Sequence, residues 1–132
     1  NLFSVETGAD GTAAKAVNLQ FIHRSNTLST SLRADTGAQR QVVFSGFRTG
    51  LQHLVVTWDG KTAVTFINGR PVQSAALPSA GAQWAPNPRV LLGSSAGGQF
   101  YYLGTYYLLA LHDVCFTPEQ VLRHYQAGPS AK

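Results

Sequence analysis

Six carboxylates are the only acids in this 132-residue chain: Glu6, Asp10, Asp35, Asp59, Asp113 and Glu119. Hydrolysing a glycosidic bond takes two carboxyl groups about 5–9.5 Å apart, one to give a proton and one to act as base or nucleophile. A strand offers that pair most readily two residues apart, where side chains share a face. No two of these acids are so spaced, and most fall in turns or at a helix start. The four histidines, His23, His53, His112 and His124, make no H-x-H or H-x-x-x-H pair, so a metal site on one strand or helix has no support. There is no G-x-S-x-G to raise a serine nucleophile. The chain is therefore not expected to be an enzyme; carboxylates meeting only in space would be the remaining route to a glycosidase.

Calcium is the better metal question, because it takes six to eight oxygens from loop Asp, Asn and carbonyl groups. Asp10, Asp35, Asp59 and Asn68 are the candidates, although Asp59-Gly60 and Asn68-Gly69 also read as hairpin turns. No other cofactor is expected. Cys115 is the single cysteine, so no internal disulfide forms, and its place in Leu111–Phe116 suggests a small buried hydrophobe rather than a reactive thiol.

Positioning these residues falls to a chain of one-domain size. Hydrophobic residues make up 44% and charged residues 12%, against the usual ~25% charged. So little charge leaves apolar surface for a partner or another domain to cover. The net charge of +4 comes from basic residues scattered singly, which supplies neither a nucleic-acid arm nor a polybasic membrane tether. No apolar run reaches the ~20 residues of a membrane-spanning helix. The chain has no Met and opens within an apparent strand, which predicts a single domain, 1–132, that is part of a longer polypeptide.

Short alternating segments broken by turn residues predict an all-β sandwich. Strands are expected at Leu2–Glu6, Val17–Arg24, Leu28–Ala34, Gln41–Phe44, Leu51–Trp58, Thr62–Ile67, Arg70–Gln73, Arg89–Gly93 and, at length, Gln99–Phe116. Asp59-Gly60 and Asn68-Gly69 predict two successive type I′ hairpins, since that turn needs positive φ at both central residues. Ala75–Pro88, which contains Trp84, reads as a long irregular connection. Thr117, Pro118 and Gln120 form an N-cap and capping box for a C-terminal helix with an apolar stripe of Val121, Leu122 and Tyr125, stopped at Gly128-Pro129.

Three stretches together resemble the laminin-G-like, concanavalin A-like jelly-roll family: Gln52–Gly60, Thr65–Val72 and Gly104–Gly128, the last with His112-Asp113, Phe116–Gln120, Tyr125 and Gly128 in place. The likeness covers roughly residues 51–128, and because the family has a further strand or two before the position of Leu2, it implies that N-terminal strands are missing from 1–132. It implies an antiparallel jelly-roll β-sandwich with a short C-terminal helix, and it makes His53 a structural side chain. It also implies a mostly non-catalytic domain of an extracytoplasmic protein (periplasmic, secreted or cell-surface), of a kind that binds proteins, glycans or calcium.

One departure from the family stands out. Where relatives carry a polar pair after the position of Tyr106, this chain has Tyr107 and Leu108, and Phe100–Leu111 is apolar or aromatic almost throughout. Alternation is lost, as in a strand covered on both faces. The cover could be the Ala75–Pro88 connection or the C-terminal helix. Alternatively the stretch faces a protein partner or a membrane interface, where Tyr is favoured for its polar tip. A third reading is a sugar-stacking platform. Trp84, Tyr101, Tyr102, Tyr106, Tyr107 and Leu108 are the candidate surface. Two functions follow: an interaction or structural domain of an exported or membrane-associated protein or complex, or a carbohydrate-binding module, possibly calcium-dependent.

Overall fold

The computed structural model describes residues 2–6, 18–24, 27–33, 39–45, 48–76, 89–94 and 101–129. They form strands β1 (Phe3–Glu6), β2 (Asn18–Arg24), β3 (Thr27–Arg33), β4 (Gln39–Ser45), β5 (Leu54–Trp58), β6 (Thr62–Ile67), β7 (Arg70–Ala76) and β8 (Arg89–Leu92), then helix α1 (Pro118–Ala127). Two sheets result, in the orders β4-β3-β2-β1-β8 and β5-β6-β7. All their pairings are antiparallel. This is the expected antiparallel sandwich with its C-terminal helix.

Cross-strand register follows the alternation of the sequence: Phe3 lies opposite Phe21, and Val5 opposite Leu19. In β6, Ala63, Thr65 and Phe66 are buried. Leu2, Phe3 and Ser4 are buried in succession, as are Leu28, Ser29 and Thr30. Consecutive buried residues mean both faces of those strands are covered.

The β6–β7 turn is the expected one. Asn68 (φ 52°) and Gly69 (φ 77°) both take positive φ, and Ile67 pairs with Arg70 around them. The β5–β6 turn differs by one residue. Asp59 is the last paired residue, its N–H donating to the Thr62 carbonyl at 3.3 Å, so the central pair is Gly60-Lys61. Gly60 has φ 87° and Lys61 has no positive φ, which is the type II′ pattern with glycine first. The cause is the Asp59 carboxylate. Its Oδ1 accepts from the N–H of Lys61 (2.8 Å) and of Thr62 (2.6 Å), which fixes Asp59 as the residue before the turn. Pro71 lies opposite Phe66 beside a register shift, and β7 is an outer strand of its sheet. Edges and bulges are where a strand tolerates a missing N–H.

Helix α1 begins as expected. The Gln120 N–H donates to Thr117 Oγ1 at 3.3 Å, and the Thr117 N–H donates to Gln120 Oε1 at 2.8 Å. Val121 is fully buried, while Leu122 and Tyr125 are partly covered. Gly128 ends the helix at φ 77°, its N–H donating to the Tyr125 carbonyl.

Two expectations are corrected. The strand over Gln99–Phe116 is absent from its described part: residues 101–117 carry no strand. A strand's register is pinned by burying one alternate set of side chains, and here both sets are apolar, so neither is selected. Cys115, expected inside, is exposed, because its segment runs along the surface outside both sheets.

Candidate partner-facing surface

Residues 101–117 are fastened to the five-stranded sheet at few points. The Tyr102 N–H donates to the Gly93 carbonyl at 2.7 Å, and the Gly93 N–H donates to the Leu2 carbonyl at 3.2 Å. The Tyr106 hydroxyl also donates to the Leu2 carbonyl. Burial pushes the Tyr106 phenol above its ordinary pKa, and Tyr102 adds to this, so the hydroxyl keeps the proton it donates. The Tyr102 ring lies 5.4 Å from that of Tyr106 and 6.5 Å, edge-on, from that of His23. It folds over Gly104 so closely that a Cβ there would collide with the phenol ring. The two anchoring side chains lie four residues apart, and the glycine between them leaves room for the Tyr102 ring.

The anchoring divides the candidate residues into two groups. Tyr102 and Tyr106 hold the segment down. Tyr101, Leu103, Tyr107, Leu108, Leu109 and Leu111 are exposed, Leu103 at 95% and Leu108 at 66%. Among the described residues, neither α1 nor any strand covers them. No charged residue interrupts Tyr101–Leu111. On β8, Val90 and Leu92 are exposed too and lead directly into Gly93. Trp84 lies outside the described residues.

Of the calcium candidates, only Asp59 and Asn68 are described, and these two are not brought together. Asp10 and Asp35 lie outside the described residues. Asp59 and Asn68 sit at opposite ends of β6, about 20 Å apart at ~3.3 Å per residue. Asp59 Oδ1 is taken by two backbone N–H groups. Asn68 Oδ1 accepts from the His53 N–H at 2.9 Å, and Asn68 Nδ2 donates to Gln52 Oε1 at 3.1 Å. Among the described residues no three His, Cys, Asp or Glu side chains converge as a metal site.

Two of the acids have turn and cap work. Asp59 is held below the ordinary carboxylate range by the N–H of Thr62 first and Lys61 next. Glu119 is lowered by its own N–H and by the Thr117 hydroxyl. A glycosidase acid needs the opposite shift, to stay protonated near neutral pH.

Asn68 is a functional residue of the fold that spacing did not reveal. It ties residues 52–53, ahead of β5, to the β6–β7 turn, and the Asn68 N–H donates to the His53 carbonyl at 2.8 Å. Sequence signals only its turn. The approach of His53 to Tyr125 at α1 is likewise hidden, since these residues are far apart in the chain.

A two-sheet antiparallel sandwich closed by a capped C-terminal helix is a lectin-like architecture, a fold on which function is argued from the site and not from the scaffold. A laminin G-type model, described as the concanavalin A-like lectin/glucanases superfamily, matches residues 2–122, and the chain belongs to that family. Among solved structures, the crystal structure of an S-layer domain-containing protein (residues 221–444) from Clostridium thermocellum ATCC 27405 is similar, with a TM-score of 0.44 and 14% identity. The match covers 91% of this chain and 60% of that one, so this chain spans less than two thirds of it. No curated protein matches the chain. Among the described residues, no helix is long and apolar enough to cross a membrane.

Proposed function

We propose that this domain is a non-catalytic interaction module of an extracytoplasmic protein or complex. Its contact surface is the outward set Tyr101, Leu103, Tyr107 and Leu108. The carrying observation is that a long charge-free apolar segment lies exposed along the sheet instead of inside it. Exposed apolar patches on a folded domain mark contact sites, and Tyr suits an interface because it joins an apolar body to a polar tip. The reading agrees with a family that contains lectins as well as glucanases and with acids occupied by turns and caps. The partner is a protein or a neighbouring domain.

Leu108→Lys tests it. Because Leu108 is exposed, thermal stability should change by no more than about 0.5 kcal/mol. Affinity for the co-purifying partner, found by native mass spectrometry, should fall tenfold or more, the range of a buried interface anchor (~1–3 kcal/mol). Unfolding of the variant would make the face core and sink the proposal.

The exposed rings of Tyr101 and Tyr107 favour a second reading, a carbohydrate-binding surface on which pyranose rings stack. In that case Tyr107→Ala removes binding on a glycan array and Leu108→Lys leaves it nearly intact. Chelation with EDTA shows whether Asp10, Asp35, Asp59 or Asn68 contributes a calcium dependence.

A further inference from the structure

Where α1 rests on the three-stranded sheet, His53 lies beneath the helix, and His112 and His124 form a second, exposed group beside it. The His53 ring lies 5.8 Å from Tyr125 of α1. The rings of His112 and His124 lie 6.1 Å apart, with Phe116 at 4.6 Å and 4.8 Å from them. The same helix packs on the β6–β7 turn so tightly that a Cβ on Gly69 would stand 3.0 Å from both Leu122 and Tyr125. His53 Nδ1 is buried without a hydrogen-bond partner. A neutral imidazole tolerates this with an unprotonated nitrogen, but a protonated imidazole donates from both nitrogens. Protonation would therefore leave a charged donor buried and unmatched, with a second imidazole nearby.

We propose that the seat of α1 is a proton-sensitive latch: mild acidification charges His53 beneath the helix and releases the helix from the β6–β7 turn. The groups around His53 offer no compensation. The stretch before β5 supplies Gln52, and the β6–β7 turn supplies Asn68, both neutral amides already bonded to each other. From α1 come Tyr125 against the ring and His124, with His112 of residues 101–117 lying against His124. Arg70 at the start of β7, Asp113, Glu119 and Arg123 are all exposed, and Glu119 is engaged by Thr117 and Arg123. Desolvation first, and His124 second, lower the pKa of His53 below its ordinary value. Once α1 leaves, His53 returns toward about 6.5. The released state therefore binds more protons over the window just below that value, so docking is complete above it and weakens as pH falls through it.

Hydrogen exchange of the whole chain at pH 7.5 and 5.5, corrected for intrinsic rates, tests the latch. The amides of residues 122–127 should lose protection on the order of tenfold at the lower pH, the factor that one pKa unit gives per proton. The amides of β6 should keep theirs. His53→Gln should abolish the response. Should that variant fail to fold, His124→Gln, at an exposed position, should still shrink it, though by less than loss of His53 does. A flat response in the wild type, a full response in His53→Gln or in His124→Gln, or loss from α1 and β6 in step would each overturn the proposal.

Discussion

Phe66→Ala is expected to lower the unfolding free energy by about 3–5 kcal/mol, the usual cost of emptying a buried aromatic site. Phe66 is 1% exposed. It sits on β6, the middle strand of its sheet, with Val55 opposite on one side and Pro71 on the other. Pro71 lacks an N–H and stands next to the register shift, so backbone bonding is weakest there and side-chain packing carries more of the pairing. A domain with ~5–15 kcal/mol in hand loses a large part of it. The melting temperature followed by far-UV circular dichroism should fall by about 10–15 °C, at roughly 3 °C per kcal/mol for this size. A loss below about 1 kcal/mol would mean that this residue is not a core position.

Gly69→Ala should cost about 2–5 kcal/mol, for two separable reasons. At φ 77° a side chain meets the left-handed penalty of ~1–2 kcal/mol. Its Cβ would also press on Leu122 and Tyr125 at 3.0 Å, adding an overpacking cost of about 1–3 kcal/mol. Combining it with Leu122→Ala separates the two. If contact with the helix matters, the double variant is less destabilised than the sum of the singles by about 1 kcal/mol in denaturant unfolding. Strict additivity would assign the whole effect to the turn and leave the helix out of it.

What could be read from the sequence was whatever local chemistry determines. Thr117, Pro118 and Gln120 specify a helix start without help from the rest of the fold, and the start forms as they dictate. Asn68-Gly69 specifies its turn in the same way. Asp59-Gly60 located a hairpin one residue early, because the Asp59 side chain bonds forward to two N–H groups and so stands outside the turn proper. The segment 101–117 was misread because hydrophobicity without alternation names no face. Its path is set by Tyr102 and Tyr106 reaching Gly93 and Leu2, partners that nothing nearby in the chain announces. The seat of α1 was hidden for the same reason: His53 and Tyr125 meet only after the sandwich has formed.

The pairing of β1 with β8 has a bearing on the order in which the molecule assembles. Phe3 lies opposite Leu92, so most of the chain must be gathered before that ladder can close, and closure of a long loop is an entropic cost met before any contact repays it. The strands β5, β6 and β7 need only two-residue reversals and are neighbours along the chain. Contacts of short sequence separation form faster. Residues 54–76 are therefore the expected nucleus, with β8 joining β1 late. Substitutions at the interior of β6 should slow refolding in stopped-flow kinetics, whereas substitutions in β8 should mainly speed unfolding. The reverse pattern would place the nucleus in the larger sheet.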